Sequence, residues 1–122
     1  AFEVPHFDIG QVWLTYTNWI HPEEYQSIKT TIISFLQSGV IPLINENDVI
    51  VLNDFGGNDF LAVEITHILG ATRLLILSTM KGSEFGVGGG ESKRAALQRA
   101  DEMGIQSSIV DGKIKSILLK TI

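Results

Sequence analysis

The chain has 122 residues, 44% of them hydrophobic, with a formal net charge of −5 and no cysteine. This composition suffices for one packed domain but excludes a basic nucleic-acid-binding surface, a disulfide framework and a cysteine nucleophile. The sequence contains no run of about 18 apolar residues, so we expect no membrane span. The lack of cysteine fits a reducing compartment, and we expect a cytoplasmic protein without a nucleic-acid or membrane partner.

The first half of the chain contains the clearest helix signal. Residues 11–17, "QVWLTYT", are predicted to form a strand. Residues 21–39 are predicted to form a helix, because Pro22 stands near its first position and Gly39 ends it. Its apolar residues recur at helical spacing, namely Tyr25, Ile28, Ile32 and Phe35. The short apolar run 40–44, "VIPLI", is predicted to be a buried strand.

Helices and strands alternate through the rest of the chain. The predicted elements are a loop over 45–59, a helix over 60–70, a strand over 73–78, a glycine-rich loop over 79–90, a helix over 91–104, a strand over 105–110, a turn at 111–112 and a terminal helix or strand. This alternation predicts an α/β fold, a three-layer αβα sandwich with a mostly parallel sheet. In such folds ligands bind beyond the carboxyl ends of the strands.

Polar and glycine-rich loops cluster at this predicted edge. "NEND" (45–48) follows one strand, "STMKG" (78–82) follows another, and "GGND" (56–59) opens the helix that leads to the second strand. Each loop alone is also typical of an ordinary turn or helix cap. The run "GVGGG" (86–90) fits neither a P-loop nor a GxGxxG motif, but it leads into a helix. We place Lys93 in that helix's first turn, where a cation opposes the dipole and is best tolerated beside an anion.

Several other polar or aromatic residues have simpler explanations. Lys81 is typical of a solvated loop charge, and Trp13 and Trp19 are predicted to be core residues. The three histidines are far apart in the sequence, so we predict no metal site built from them: His6, His21 and His67.

Three segments, in order, resemble the glutamate 5-kinases of the amino acid kinase family. They are "GVIPLINENDVI", "FGGNDFLAVEITHILGATRLLILSTMKG" and "GVGGGESKRAALQRADEMGI". The resemblance extends from about residue 9 to the end. It implies ATP-dependent phosphorylation of the γ-carboxylate of L-glutamate to glutamyl 5-phosphate, the first step of proline synthesis. It also implies Mg²⁺ accompanying ATP, and a homo-oligomer.

The resemblance also implies a role for individual residues. Asn45, Asp48 and Asn58 would bind glutamate, with Asp48 facing its ammonium and Asp59 supporting the loop. The nucleotide would contact the following residues, of which the lysine is also the catalytic one: Ser78, Thr79, Gly88, Gly89 and Lys93. The chain would then be a single domain over 1–122, with a glutamate-binding region at 45–59 and a nucleotide-binding part at 73–122.

The sequence departs from the family pattern at several points. Gly57 and Thr79 stand where the family has aspartates, and Gly90 replaces a methionine. Only three residues, 83–85, separate Gly82 from Gly86, where the family has a long segment, and the loop after Asp48 is a few residues short.

The family's amino-terminal part, with a further catalytic lysine, has no counterpart here, so we expect the 122 residues alone to be inactive. Two alternatives stay open. One is a sister kinase acting on another small acid such as N-acetylglutamate, and the other is a noncatalytic nucleotide-binding or interaction module.

Overall fold

A computed structural model of the chain describes residues 6–46, 58–78, 89–114 and 117. Its internal contacts define two compact units, residues 1–55 and residues 56–122. Each unit has two parallel strands with helices packed against them. The prediction of an α/β fold with parallel strands is therefore confirmed, while the assignment of the whole chain to one domain stays a prediction.

Unit 1 contains two strands and two helices. In chain order they are β1 (Ile9–Leu14), α1 (Tyr16–Ile20), α2 (Pro22–Gln37) and β2 (Ile41–Glu46). The two strands pair in parallel, from Ile9 opposite Ile41 to Leu14 opposite Glu46. Helix α2 packs against this pair, as expected for a helix that connects two parallel neighbours.

Helix α1 was not predicted, because the first strand was expected to continue to Thr17. The strand stops at Leu14 because Thr15 caps the helix that follows. The Thr15 hydroxyl accepts a hydrogen bond from the backbone N–H of Asn18, and the Asn18 side chain accepts one from the backbone N–H of Thr15. This reciprocal capping box fixes the chain in a helical turn over a sequence that is otherwise typical of a strand.

Helix α2 agrees closely with its prediction. Pro22 occupies its first turn, and Gly39 follows its end with a φ of 74°, a conformation that glycine adopts without strain. Ile28 and Ile32 are buried, which confirms the predicted apolar face. The Phe35 ring lies directly over Gly10 of β1, where a Cβ atom would be 2.7 Å from the ring.

Strand β2 is longer than predicted and includes Asn45 and Glu46, which were expected in a loop. Cross-strand pairing explains the extension, because Asn45 lies opposite Trp13 and Glu46 opposite Leu14. Successive strand residues face opposite sides of a sheet. Glu46 accordingly lies on the buried side, only 3% exposed, while Asn45 lies on the side of Trp13.

The side of the sheet that carries Asn45 is apolar and exposed. It includes Ile9 and Trp13 from β1 and Ile41 and Leu43 from β2. The prediction that Trp13 is a core residue is wrong in this structure, since 52% of it is exposed. Trp19 is partly buried, with its ring edge-on to Tyr25 at a centroid distance of 5.0 Å.

Unit 2 is a β–α–β arrangement preceded by a helix. Its elements are α3 (Asn58–Ile68), β3 (Arg73–Ser78), α4 (Gly89–Glu102) and β4 (Gln106–Asp111). Both helices begin two residues earlier than predicted, and glycines with positive φ follow them, Gly70 and Gly104. Strand β3 has the predicted bounds.

Small residues allow the two helices of unit 2 to pack closely. Val63 of α3, Ala96 and Ala100 of α4 and Ile105 form a buried cluster, against which Leu74 and Met103 pack. Helix α3 also buries apolar residues along its length, namely Leu61, Val63, Ile65 and Ile68. Thr66 is buried as well, because its hydroxyl donates to the carbonyl of Ala62 at 2.7 Å.

The turn after β4 is held by three hydrogen bonds. The backbone N–H of Lys113 donates to Asp111 Oδ1 at 2.8 Å, and that of Ile114 donates to the Asp111 carbonyl at 3.2 Å. The N–H of Gly112 donates to the carbonyl of Ser78 at 2.9 Å. Most of the predicted terminal helix or strand, residues 115, 116 and 118–122, lies outside the described residues. Among the described helices, none is long and apolar enough to cross a membrane.

We expect Gly10→Ala to destabilise unit 1, because the new methyl group would meet the Phe35 ring and force it to move. Overpacking of this kind costs about 1–3 kcal/mol, only partly offset by the reduced entropy of the unfolded chain. Urea unfolding would measure the loss. Gly112→Ala is the matched control, since its Cβ would meet atoms only at 3.6 Å and beyond. An equal or smaller effect of Gly10→Ala would contradict the packing argument.

Candidate active site

One edge of unit 2 collects most of the predicted site residues that the structure describes. Strands β3 and β4 run in parallel and end side by side, with Ser78 opposite Asp111. Helix α3 leads into the start of β3, and α4 follows the end of β3, so both helices begin at the end where the strands finish. We call this region the carboxyl edge. It consists of Ser78, Asp111 and the first turns of α3 and α4.

An ion pair joins the two helices at the carboxyl edge. The Lys93 ammonium lies 3.0 Å from Asp59 Oδ2 and 3.3 Å from Asp59 Oδ1, so it contacts both carboxylate oxygens. The two side chains are 19% and 22% exposed. The pair connects residues 34 positions apart in the sequence. Asp59 was predicted in the glutamate-binding region and Lys93 in the nucleotide-binding part, and the ion pair brings the two into contact.

The position of Lys93 within α4 differs from the prediction. The helix begins at Gly89, so Lys93 is in the second turn and not in the first. Side chains on a helix point toward its amino terminus, and the ammonium therefore still reaches the carboxyl edge. The anion expected beside it is present in the chain itself, as the Asp59 carboxylate. Asp59 in turn lies in the first turn of α3, where a negative charge interacts favourably with the helix dipole.

Three other predicted residues lie at the same edge. Ser78 ends β3, is 6% exposed, and uses its carbonyl to accept the hydrogen bond from Gly112. Asn58 is the first residue of α3 and is exposed. Gly89 is the first residue of α4. The structure thus places Asn58, Asp59, Ser78, Gly89 and Lys93 on one side of unit 2.

The remaining predicted residues are distributed differently. Asn45 belongs to unit 1, at the end of β2. Asp48, Thr79 and Gly88 lie outside the described residues, as does Lys81. Their assigned roles stay predictions.

Two acidic residues near strand ends were missed by the sequence analysis. Glu46 was treated as part of a loop, although alternation with Pro42 and Ile44 along a longer strand would have placed it on the buried side. Asp111 was assigned only to a turn. Its signal was its place directly after an apolar strand of a predicted parallel sheet.

Metal binding by the chain alone finds no support within the described ranges, where no three acidic or histidine side chains group together. The Asp59 carboxylate is already engaged by Lys93. Mg²⁺ is commonly held by one or two carboxylates together with substrate phosphates.

Comparison with known proteins identifies the family of the chain. The sequence signature of the amino acid kinase family matches residues 2–83, and the chain belongs to that family. Among curated proteins it is similar to a glutamate 5-kinase of Geobacter sulfurreducens, with 28% identity over 97% of this chain and 41% of that relative. It is also similar to a glutamate 5-kinase of Desulfotalea psychrophila, with 38% identity over 64% of this chain and 21% of that relative.

The chain is shorter than these relatives. It spans about two fifths of the Geobacter protein, and a glutamate 5-kinase of Syntrophotalea carbinolica is matched over 39% of its length. The alignment with the Geobacter protein has 153 positions, whereas this chain has 122 residues. At least 31 of those positions, the excess of 153 over 122, therefore lie opposite no residue of this chain.

We expect the Asp59–Lys93 pair to show a coupling energy of about 1 kcal/mol in a double-mutant cycle of unfolding free energies, because both groups are largely buried. The variants are Asp59→Ala, Lys93→Ala and the double substitution, each unfolded with urea without nucleotide. The control cycle uses Glu64 and Arg99, which also join α3 to α4 but at 3.7 Å and with Arg99 47% exposed. Equal coupling energies in the two cycles would show that Asp59 does not hold Lys93.

Proposed function

We propose that the protein carrying this chain transfers the γ-phosphoryl group of ATP to the γ-carboxylate of L-glutamate. The product is glutamyl 5-phosphate, the first intermediate of proline synthesis. The observation that carries this proposal is the Asp59–Lys93 contact, because it joins the predicted glutamate-binding and phosphate-binding elements at one edge. Membership of the amino acid kinase family and similarity to glutamate 5-kinases support it.

The carboxyl edge has the chemistry that phosphoryl transfer requires. Negative charge must be stabilised as the phosphoryl group moves, and little covalent help is needed. In our proposal the Lys93 ammonium is the catalytic group and interacts with the transferred phosphate. Asp59 holds that ammonium in place, and the free N–H groups at the start of α4 add positive potential.

The substrate-binding roles are part of the same proposal. Asn45, Asp48 and Asn58 bind glutamate, with the Asp48 carboxylate paired to the substrate ammonium. Ser78, Thr79, Gly88 and Gly89 contact ATP, which brings Mg²⁺ with it. A homo-oligomeric state, a cytoplasmic location and the inactivity of the 122 residues alone stay predictions.

A noncatalytic nucleotide-binding module is the second candidate. Two observations favour it: Thr79 replaces an acid of the family pattern, and at least 31 aligned positions of a relative have no counterpart. A hydroxamate assay separates the two functions. Only a kinase forms an acyl phosphate that hydroxylamine traps, and its formation must depend on both ATP and glutamate.

We expect Lys93→Ala in the complete polypeptide to lower kcat in that assay by about 100-fold or more. Loss of one group that stabilises transition-state charge has effects of this size. Arg94→Ala is the matched control, because Arg94 is the neighbouring cation and is exposed, and it should stay within about twofold of the unsubstituted protein. Comparable losses in both variants would mean that general positive charge, and not the Lys93 position, supports the reaction.

We expect Asp48→Ala to raise the KM for glutamate about tenfold or more, while the KM for ATP stays unchanged. A carboxylate that pairs with an ammonium contributes about 1.5–3 kcal/mol, which corresponds to at least a tenfold change. N-acetylglutamate lacks the charged amine and serves as the comparison substrate. An unchanged KM for glutamate, or a preference for N-acetylglutamate, would contradict the assignment of L-glutamate.

A further inference from the structure

We infer that Asp111, at the end of β4, binds the ribose of the nucleotide through its 2′- and 3′-hydroxyl groups. This inference rests on the proposed function, because it presupposes that a nucleotide occupies the carboxyl edge. It adds a residue that the family resemblance does not assign. Its basis is the register of β3 and β4, the hydrogen bond that orients the Asp111 side chain and the backbone bond that joins the ends of the two strands.

The strand register places Asp111 beside the predicted nucleotide contact. Ser78 and Asp111 are paired residues of neighbouring parallel strands, which lie about 4.8 Å apart. Helix α4 connects these strands and begins at the same edge. A nucleotide with its phosphates at the start of α4 would therefore find Asp111 one strand away.

One hydrogen bond orients the Asp111 carboxylate, and a backbone hydrogen bond holds the turn beside it. Its Oδ1 accepts the N–H of Lys113 at 2.8 Å, and the neighbouring Gly112 N–H binds the Ser78 carbonyl at 2.9 Å. The Gly112 bond joins the end of β4 to the end of β3, and the Lys113 bond stabilises the turn. The Asp111 residue itself is exposed, and within the described ranges its Oδ2 has no recorded hydrogen bond. An acceptor that is already oriented in this way loses less side-chain entropy on binding a ligand than an unrestrained side chain would.

The negative charge of Asp111 limits which groups of the nucleotide it can bind. A carboxylate only accepts hydrogen bonds and is repelled by phosphate oxygens. Asp59, in the first turn of α3 at this edge, is already paired with Lys93. Asp111 is therefore suited to the uncharged, donor-bearing part of ATP. Adjacent sugar hydroxyls are the usual partners of an acid at this place in β–α–β nucleotide-binding units, where it follows the second strand.

Nucleotide titration of the complete polypeptide tests the inference. Isothermal titration calorimetry would compare ATP, 2′-deoxy-ATP and ITP, the last lacking the 6-amino group. The variant is Asp111→Asn, whose side-chain oxygen keeps the hydrogen bond to Lys113 and so preserves the turn. Asp101→Asn is the control, an exposed aspartate in the last turn of α4, at the opposite end of unit 2.

We expect Asp111→Asn to weaken ATP binding roughly fivefold to tenfold, since a charge-assisted hydrogen bond becomes a neutral one. The unsubstituted protein should bind 2′-deoxy-ATP more weakly than ATP by a similar factor, and Asp111→Asn should lose most of that difference. Asp101→Asn should behave like the unsubstituted protein.

Three results would overturn the inference. The first is that Asp111→Asn keeps the full preference for ATP over 2′-deoxy-ATP. The second is that it loses a preference for ATP over ITP instead, which would place the base and not the sugar at Asp111. The third is that the unsubstituted protein binds no ATP, which would remove the proposed function together with this inference. Binding of ATP with unchanged sugar preference would remove the inference alone.

Discussion

The contact between Asp59 and Lys93 is the interaction on which the candidate site depends. It exists because α3 and α4 begin at the same edge and lie close together. Their closeness follows from a buried cluster in which Val63 of α3 is joined by Ala96 and Ala100 of α4, whose small side chains let the helices approach. The 3.0 Å salt bridge therefore depends on the packing of residues that lie about one helical turn after Asp59 and Lys93. The site and the core of unit 2 are built from the same two helices.

The amino-terminal ends of α3 and α4 both favour negative charge at the carboxyl edge. The chain places one negative and one positive side chain there, Asp59 and Lys93. The first N–H groups of α3 and α4 have no partners within their own helices. Asp59 complements the start of α3, and Lys93 balances Asp59 at short range. The pair is therefore locally neutral. Asp111, one strand from Ser78, extends this edge with an acceptor suited to a neutral group.

Local signals account for the elements that the sequence predicted well. Strand β3 and the ends of α2, α3 and α4 follow from apolar runs and from Gly39, Gly70 and Gly104, which adopt positive φ. Helix α1 was missed because its capping box lies within an apolar, strand-like run. Strand β2 was cut short because its last two residues are polar, and only pairing with Trp13 and Leu14 makes them part of the strand.

The candidate site was predictable in composition but not in geometry. Chain order and the parallel sheet placed the starts of α3 and α4 at one edge, and the Asp59–Lys93 contact confirms that placement. The direct contact itself joins residues 34 positions apart and had no signal in the sequence. Asp111, in contrast, had a signal in the sequence, its position directly after an apolar strand. The Asp-Gly pair was nevertheless interpreted only as a turn. The turn is present, but it also fixes a carboxylate beside Ser78.

Stability alone gives little reason for a lysine at position 93. Burying most of an ammonium costs free energy, and a buried ion pair often contributes no more than apolar residues of similar size would. Apolar residues at both positions would continue the packing of Val63 and Ala96 without the desolvation cost. A largely buried cation, held by a carboxylate at the edge where parallel strands end, fits the role in phosphate binding that we propose for Lys93, while Asp59 supplies the anion that balances its charge in this structure. This reasoning applies equally to a kinase and to a nucleotide-binding module, so the chemical step, and not nucleotide binding, is what distinguishes them.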